Sequence, residues 1–543
     1  MISHIPATLI TWFCSALLVC GALTLAACAS HHVRRLNMKA DLLILHANDT
    51  HSYIAGIDED GYPCTNDSLC KGGLARMAAA IKEAKAQGDN VLALDAGDMF
   101  TGTVFYSVSK WPLLAKVNEL MPWDAATLGN HEWDEGCTQL AAYLAAKRPF
   151  PMLAANLKPE KNCPLLHSDT PPYTVREIGG HKVGVIGLCN DEVLGISSAC
   201  PKTKFIDRLN TVRTVVRELE DQGVKRIVLL THIGLPADRQ LARSVDGVDI
   251  IVGGHTHSYL GPGSKDGPYP VVEKSPSGHP VLVVTAKWAT QYLGVLACNF
   301  DRDGLLTSWS GQARELVPSD PRDSKLSAMV AKHAAALNVY RAQKVGHLDY
   351  APGPDGLEGC RAHECPTGDI MTDAMLNYGL RYGAHMALLN SGAVRAAIPA
   401  GDISRGDVLT AFPFGTRIQV REYTGKQVWE ALEHGMAGEG ARGPQTLQTA
   451  GLRYVVDTSR PSGKRILKAE AVDKNGHAIP LRPREWYRVV VTSFLSQGGD
   501  YFHMLTKGRV VTSPEPKDVD VLYDYLAGHS PLPPPFTGRI VRK

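Results

Sequence analysis

From Ala40 to about Asp301, short apolar runs alternate with longer stretches whose apolar residues recur every three or four positions. The runs DLLILHA (41–47), NVLALDA (90–96), PMLAANL (151–157), KVGVIGL (182–188), RIVLLTH (226–232), VDIIVGG (248–254) and PVLVVTA (280–286) hold few polar positions. They predict strands buried on both faces, as in sheets covered by helices. YLGVLACNF (292–300) reads as a further strand. GGLARMAAAIKEAKAQG (72–88) and FIDRLNTVRTVVRELEDQG (205–223) have helical periodicity, and each closes on a glycine, a residue that ends helices readily. This alternation predicts a layered α/β domain.

The pattern then changes. VPSDPRDSKLSAMVAKHAAALNVYRAQ (317–343) opens with turn residues and continues as one long helix, which predicts a connection to a second domain. Beyond about Lys344 strands and helices mix less regularly, up to the proline-rich SPLPPPF, and no internal repeat is present. A chain of 543 residues exceeds one ordinary core. The expected division is 40–316, a linker helix at 317–346, and 347–543.

Composition adds exclusions. With 44% hydrophobic and 21% charged residues the chain reads as soluble and globular, and a net charge of +2 gives no broad field for DNA, RNA or a membrane surface. Nucleotide binding must come from a local site. The N-terminal ATLITWFCSALLVCGALTLAAC (7–28) is apolar and ends in small residues. It is long enough to span a bilayer as an uncleaved anchor. Leu25-Ala26-Ala27-Cys28 resembles a bacterial lipobox, which implies a signal peptide over 1–28, acylation of Cys28 and a lipid-held mature N-terminus. Either reading exports the rest. Ala29 is not the Asp associated with inner-membrane retention, which points to the outer membrane.

Export permits disulfides. Nine cysteines follow Cys28, and two close pairs in polar sequence suit short bridges: Cys64 with Cys70, and Cys360 with Cys365. Cys189 and Cys200 flank another loop, Cys137 could reach Cys163, and Cys298 lies in an apolar strand as a buried thiol. Spacing alone does not fix connectivity beyond the two close pairs.

The chemistry gathers where the apolar runs stop. LLILHANDTHS delivers Asp49 and His51, VLALDAGDMF delivers Asp98, and ATLGNHEWDEG delivers Asn130 and His131. IVLLTHIG delivers His232, and IIVGGHTHS delivers His255 and His257. In open α/β sheets, ligands bind outside the carboxyl ends of strands. A single His or Asp at a strand end is more often a turn or cap residue. Five such segments in one domain, mostly beside glycine, are poorly explained as caps. Imidazole suits zinc and other transition ions, and a mixed imidazole and carboxylate set suits Zn or Mn. Seven groups are too many for one ion, so two ions sharing the Asp98 carboxylate are expected.

NDTHS, GDMF, GNHEWD, THIG and GGHTHS, in that order, resemble the motifs of the calcineurin-like metallophosphoesterases, and more narrowly of the 5'-nucleotidase family. The resemblance covers nearly all of the chain after about Ala40. It implies a four-layer α/β/β/α dimetal domain joined by a long helix to an α/β substrate-binding domain. It implies two divalent ions, Zn foremost with Mn or another divalent ion as the alternative. One would be held by Asp49, His51, Asp98 and His257, the other by Asp98, Asn130, His232 and His255. His131 is implied to face the reacting phosphate, oriented by Asp134, with Glu132 structural.

In the C-terminal half, AFPFGT and VTSFLSQGGDYF match the family's PFG and F-x-x-x-GGD motifs, which implies that Phe414 and Phe494 sandwich the base and Asp500 contacts the nucleoside. NSGAVR contributes Asn390 and Arg395, and CRAHEC contributes Arg361, as further substrate-binding residues. Taken without the resemblance, each Phe reads as core and each Arg equally as a surface ion pair. CTNDSLC, CRAHEC and NSG-x-x-R resemble the animal ecto-5'-nucleotidase branch more than the bacterial UDP-sugar hydrolase type. That type has an Arg where this chain has Cys365. The implied activity is hydrolysis of nucleoside 5'-monophosphates, AMP first. Alternatives are a 2',3'-cyclic nucleotide phosphodiesterase, a UDP-sugar hydrolase, or a lipoprotein that binds nucleotide or metal without turnover. The family's known domain rotation implies a hinge near the long helix.

Overall fold

A computed structural model of the chain describes residues 40–543 except 59–62, 65–69, 201, 351–356, 474–475, 513–515 and 536. The expected leader, with Cys28, lies outside the described residues. Among those described, no helix is long and apolar enough to cross a membrane.

Among the described residues the first domain holds twelve strands. They are β1 (Leu42–Ala47), β2 (Val91–Asp95), β3 (Ala125–Thr127), β4 (Met152–Leu153), β5 (Tyr173–Ile178) and β6 (His181–Leu188). There follow β7 (Arg226–Thr231), β8 (Ile250–Val252), β9 (Val271–Lys274), β10 (Pro280–Val284), β11 (Tyr292–Phe300) and β12 (Leu306–Glu315). They form two six-stranded sheets, ordered β12-β11-β1-β2-β3-β4 and β5-β6-β7-β8-β10-β9. β1 to β4 are parallel to one another, as are β6, β7, β8 and β10.

Side chains alternate across a strand, so each central strand feeds two cores. Leu42, Ile44, Leu92 and Leu94 of one sheet meet Val183, Val185, Val228 and Leu230 of the other between the sheets. Leu43, Leu45 and Ala93 turn outward onto Met77 and Ile81 of the helix Leu74–Gln87. Ile186, Leu229 and Ile251 turn outward onto Val212, Val216 and Leu219 of the helix Arg208–Asp221. The result is the expected α/β/β/α stack. β5, β9 and β12 were not marked by apolar runs, because they are sheet edges with half-exposed residues.

The connecting helix spans Ser324–Arg341, and Asp323 caps it by accepting the backbone N–H of Leu326 at 2.9 Å. Its Leu326, Val330, Ala334 and Leu337 stripe belongs to the first domain's core. The second domain is built on a five-stranded sheet, in the order Leu447–Ala450, Met386–Asn390, Trp486–Thr492, Ile418–Thr424 and Arg509–Val510. Helices Pro366–Leu380 and Asp518–His529 cover one face. Helix Gly425–Gly435 and a four-stranded sheet cover the other.

Disulfides join Cys64 to Cys70 and Cys360 to Cys365 as expected. The third corrects the expectation. Cys137 bonds Cys200, not Cys163, and Cys189 remains a buried thiol. The loop through Ser197 folds back over the start of the helix Gly136–Ala145, whereas Cys189, just past β6, turns inward onto Asn156. Cys163 stays a thiol with its Sγ 3.4 Å from that of Cys200. Cys298 is buried, as expected.

Candidate metal centre and substrate cavity

β1 and β2 end level, with Ala47 opposite Asp95, and Asp95 pairs with Ala126 of β3. β7 and β8 end level in the second sheet. Because the sheets are stacked, five loops therefore leave one edge of the sandwich together. The chain turns sharply there. Asp49, His51, Asp98, His255 and His257 all have positive φ, between 47° and 82°. Such conformations cost on the order of 1–3 kcal/mol each for non-glycine residues and persist where surrounding structure enforces them. Here Asp49 N–H donates to Gly97, His51 N–H to Asp98 and Ser52 N–H to Met99, each at 2.9 Å. Gly129 is required at its position, since a Cβ there would stand 2.0 Å from Asp98 Oδ1.

The seven expected ligands converge in two adjoining groups. Asp49, His51 and His257 offer atoms within 4.8 Å of one another, and so do Asp98, His232 and His255. His255 Nδ1 lies 2.9 Å from Asn130 Oδ1, which brings the seventh group in. Asp98 Oδ2 is 3.1 Å from His232 Nε2 and 3.8 Å from His51 Nε2, between the two groups. The donor set fits divalent ions. His51 and His232 donate through Nδ1–H to the carbonyls of Phe100 and Ala96, which leaves Nε2 of each ring as the nitrogen turned to the cluster. His51 Nε2 faces His257 Nε2 at 3.0 Å, and buried His232 Nε2 lacks an aligned hydrogen bond. Ring nitrogens turned toward one another and toward a carboxylate are what ions would satisfy.

Electrostatics agree. Burial opposes ionisation of Asp49 and Asp98, but the imidazole of His232 and its neighbours hold both carboxyls below the usual range. Burial pushes His255 down to about 4. Burial also opposes protonation of His232, yet Asp98 and Asp49 carry it up to about 10.

His131 stands beside this cluster. Its Nδ1 is 2.7 Å from Asp134 Oδ2, so Nε2 is the nitrogen left for the cavity. Asp134 is itself held, accepting Thr101 Oγ1–H at 2.7 Å and Ser197 Oγ–H at 2.9 Å. Burial disfavours the imidazolium, but Asp134 and Asp98 outweigh it and raise His131 to about 9. Glu132 points the other way. It accepts backbone N–H groups from Gly129 at 2.6 Å, Met99 at 2.7 Å, Asp98 at 3.1 Å and Phe100 at 3.2 Å. Burial pushes its carboxyl up to about 7, while four donors favour the carboxylate. Glu132 thus ties the Asp98 loop to the Asn130 turn.

The second domain closes over this edge and leaves a cavity of about 680 Å³. Asp98, Asn130, His131, Asp134, His255 and His257 line it from one side, and Arg361, Asn390, Arg395, Phe414, Phe494 and Asp500 from the other. Asp49, His51 and His232 lie beneath, buried. Phe414 stacks on His131, with centroids 5.7 Å apart and planes at 18°. Arg395 lies 5.7 Å over the Phe414 ring and within the field of Asp98, Asp134 and Asp49. Asn390 Nδ2 donates to Asp500 Oδ2 at 2.8 Å, and His434 Nε2 lies 2.7 Å from the Asp500 carbonyl. Gly499 makes room for Phe494, whose ring a Cβ would meet at 2.5 Å.

Thr101, Ser197, Trp288 and His434 were not singled out in the sequence. Thr101 and Ser197 are ordinary loop hydroxyls, and His434 is one polar residue among several on its helix. Trp288 follows the run PVLVVTA, and its position after a strand was the one available signal.

Residues 42–259 match the calcineurin-like phosphoesterase family, and residues 344–507 match the 5'-nucleotidase C-terminal domain. The chain is 32% identical over 523 residues to a 5'-nucleotidase of Bos taurus, covering 92% of this chain and 90% of that protein. It is 31% identical to the snake venom 5'-nucleotidase of Crotalus adamanteus, over 98% of this chain and 91% of that one. The crystal structure of a 5'-nucleotidase precursor from Thermus thermophilus superposes with a TM-score of 0.83 at 33% identity, covering 92% of this chain and 99% of that chain. With its two domains matched in order and its length shared almost end to end, the chain belongs to the 5'-nucleotidase family of calcineurin-like phosphoesterases.

Proposed function

We propose that this protein is an exported, metal-dependent phosphoric monoester hydrolase that cleaves nucleoside 5'-monophosphates, AMP first, to nucleoside and phosphate. One observation carries the reading. Seven ligand-type groups from five strand-end loops converge under a cavity whose opposite wall holds two phenylalanines, two arginines and an Asn–Asp pair.

Asp49, His51, Asp98 and His257 would hold one ion, and Asp98, Asn130, His232 and His255 the other, with zinc favoured by the imidazoles. When bound, such a pair supplies positive charge to the phosphoryl group and an acidified nucleophilic water. The chain does the rest. Asp134 fixes His131 so that Nε2 carries its proton toward the cavity, where it donates to a phosphoryl oxygen as charge develops. Arg395 offers paired donors to the same group, and Arg361 serves the phosphate or ribose. Phe414 and Phe494 hold the base, and the Asn390–Asp500 pair meets the nucleoside. A cavity that encloses the ester excludes bulk water and strengthens each of these interactions.

We place the division at 40–316, 317–346 and 347–543. Lipidation of Cys28 and an outer-membrane location rest on the sequence of residues 25–29. Export is supported by three disulfides and by likeness to a venom protein.

The test is chromatographic analysis of the products formed from AMP, ADP, ATP, 2',3'-cyclic AMP and UDP-glucose, with Zn, Mn, Mg or chelator. AMP is expected to be the best substrate and chelator to abolish its hydrolysis. Hydrolysis of 2',3'-cyclic AMP or UDP-glucose at a rate above that for AMP overturns the assignment.

A further inference from the structure

Trp288 occupies a loop whose backbone is strained on both sides of it. Lys287, Ala289 and Thr290, its neighbours, all have positive φ, at 63°, 57° and 59°. Three such residues around one side chain are costly unless the placement matters. The loop is fixed at several points. Ala289 N–H donates to the Asp49 carbonyl at 2.8 Å, and Lys287 N–H to Ser258 at 3.0 Å. Asn48 accepts the Ala286 N–H at 2.8 Å while donating to Asp49 Oδ2 at 2.7 Å. Thr290 Oγ1–H donates to the Tyr53 carbonyl at 3.0 Å. The indole is therefore referenced to both loops that carry Asp49, His51 and His257.

What the ring touches is specific. It lies parallel to the His257 imidazole, with centroids 5.0 Å apart and planes at 4°. Its edge meets His51 at 6.1 Å and 74°, and Tyr53 packs edge-on against it at 5.4 Å. His257 is the group that needs such help. Its side chain is 22% exposed, while those of His51 and Asp49 are 1% and 0% exposed. A flat partner on one face limits rotation of the ring and keeps Nε2 on His51 Nε2, at 3.0 Å, and on Asp49 Oδ1, at 3.4 Å.

We propose that Trp288 is a positioning residue for the half-site of Asp49, His51 and His257, holding the half-exposed His257 imidazole in register for its ion. The inference rests on the dimetal reading and adds to it that the two half-sites are supported by different means, a stacked ring on His257 and a hydrogen bond on His255. The other half is held by hydrogen bonds instead: buried His232 has its Nδ1–H bonded to Ala96, and half-exposed His255 has its Nδ1 2.9 Å from Asn130 Oδ1.

The experiment titrates Mn²⁺ into full-length, chelator-stripped protein, counting free ion by electron paramagnetic resonance and following tryptophan emission. Wild type is expected to take up two ions. Trp288→Ala is expected to weaken one site by about 10–100-fold, the usual cost of losing a ligand's support, and to leave the other unchanged. Trp288→Phe keeps a flat partner and is expected to hold both ions within several-fold of wild type. The paramagnetic quenching contributed by the indole should disappear in Trp288→Phe while both sites still fill. Two wild-type-affinity sites in Trp288→Ala overturn the inference and leave the dimetal reading intact. Undiminished quenching in Trp288→Phe also overturns it, and failure of wild type to bind two ions sinks both readings.

Discussion

The two walls of the cavity are built differently. On the first-domain side, reactive groups leave the ends of buried strands, and five of the seven expected ligands have positive φ. On the second-domain side, Phe414, Phe494, Arg361 and Arg395 reach the cavity from loops and short helices. The difference separates two tasks. Holding ions requires atoms fixed to tenths of an ångström by backbone strain and supporting bonds, whereas holding a base requires flat apolar area that tolerates displacement.

The comparison breaks most visibly through the ions. Removing metal with chelator is expected to reduce turnover to the uncatalysed background, with recovery on adding Zn or Mn, as a steady-state phosphate assay would show. Undiminished turnover in verified metal-free enzyme would detach the first wall from catalysis altogether. Next comes His131→Ala, expected to lower kcat on the order of 10²–10³-fold, the cost of losing one preorganised donor to a developing charge. Metal content should stay at the wild-type level, which elemental analysis checks.

The second wall gives smaller effects and a distinction between its rings. Phe494→Ala is expected to raise KM for AMP by about 5–150-fold, equivalent to roughly 1–3 kcal/mol of stacking. Ribose 5-phosphate, which has no base, should change less than twofold. Phe414 also stacks on His131, so Phe414→Ala is expected to raise KM for AMP and in addition lower kcat for both substrates. Identical behaviour of the two variants on both substrates would remove that distinction.

The last effect is a proton count. In the metal-free fold His232 is held up to about 10 by Asp98 and Asp49, against the opposing pull of burial. Below that pH it carries a proton that an ion must displace. Metal affinity should therefore rise by about tenfold per pH unit from near 7 toward 10 for each proton expelled. His255, pushed down to about 4 by burial, is already neutral there and adds none. Calorimetry in buffers of different ionisation enthalpy measures the release. A pH-independent affinity over this range would remove His232 from the ligand set.

Much of the first domain could be read directly from the chain. Central strands buried on both faces leave long apolar runs, and candidate ligands such as Asp98 and His232 sit where those runs stop. β5, β9 and β12 left weaker marks, because an edge strand keeps polar residues on its open side. The partner of Cys137 was hidden for another reason. It depends on how the loop through Ser197 folds back, and spacing does not encode that. Thr101, Ser197 and Trp288 were equally silent, since supporting residues have no residue type of their own and are recognised by what they touch. In the second domain, Phe414 and Phe494 are indistinguishable from core residues until the fold opens a cavity beside them.

The helix Ser324–Arg341 has its apolar stripe embedded in the first domain, so it travels with that domain as a rigid spar of about 27 Å. Any swing of the second domain must then pivot past its far end, around Ala342 to Lys344. There Arg405 N–H donates to the Gln343 carbonyl at 2.9 Å, and its guanidinium lies 5.1 Å over Tyr340 and 4.5 Å over Tyr523. A cation thus sits between two aromatic rings at the tip of that spar, and a change in the angle between the walls of the cavity would have to pass through these residues, which line no part of it.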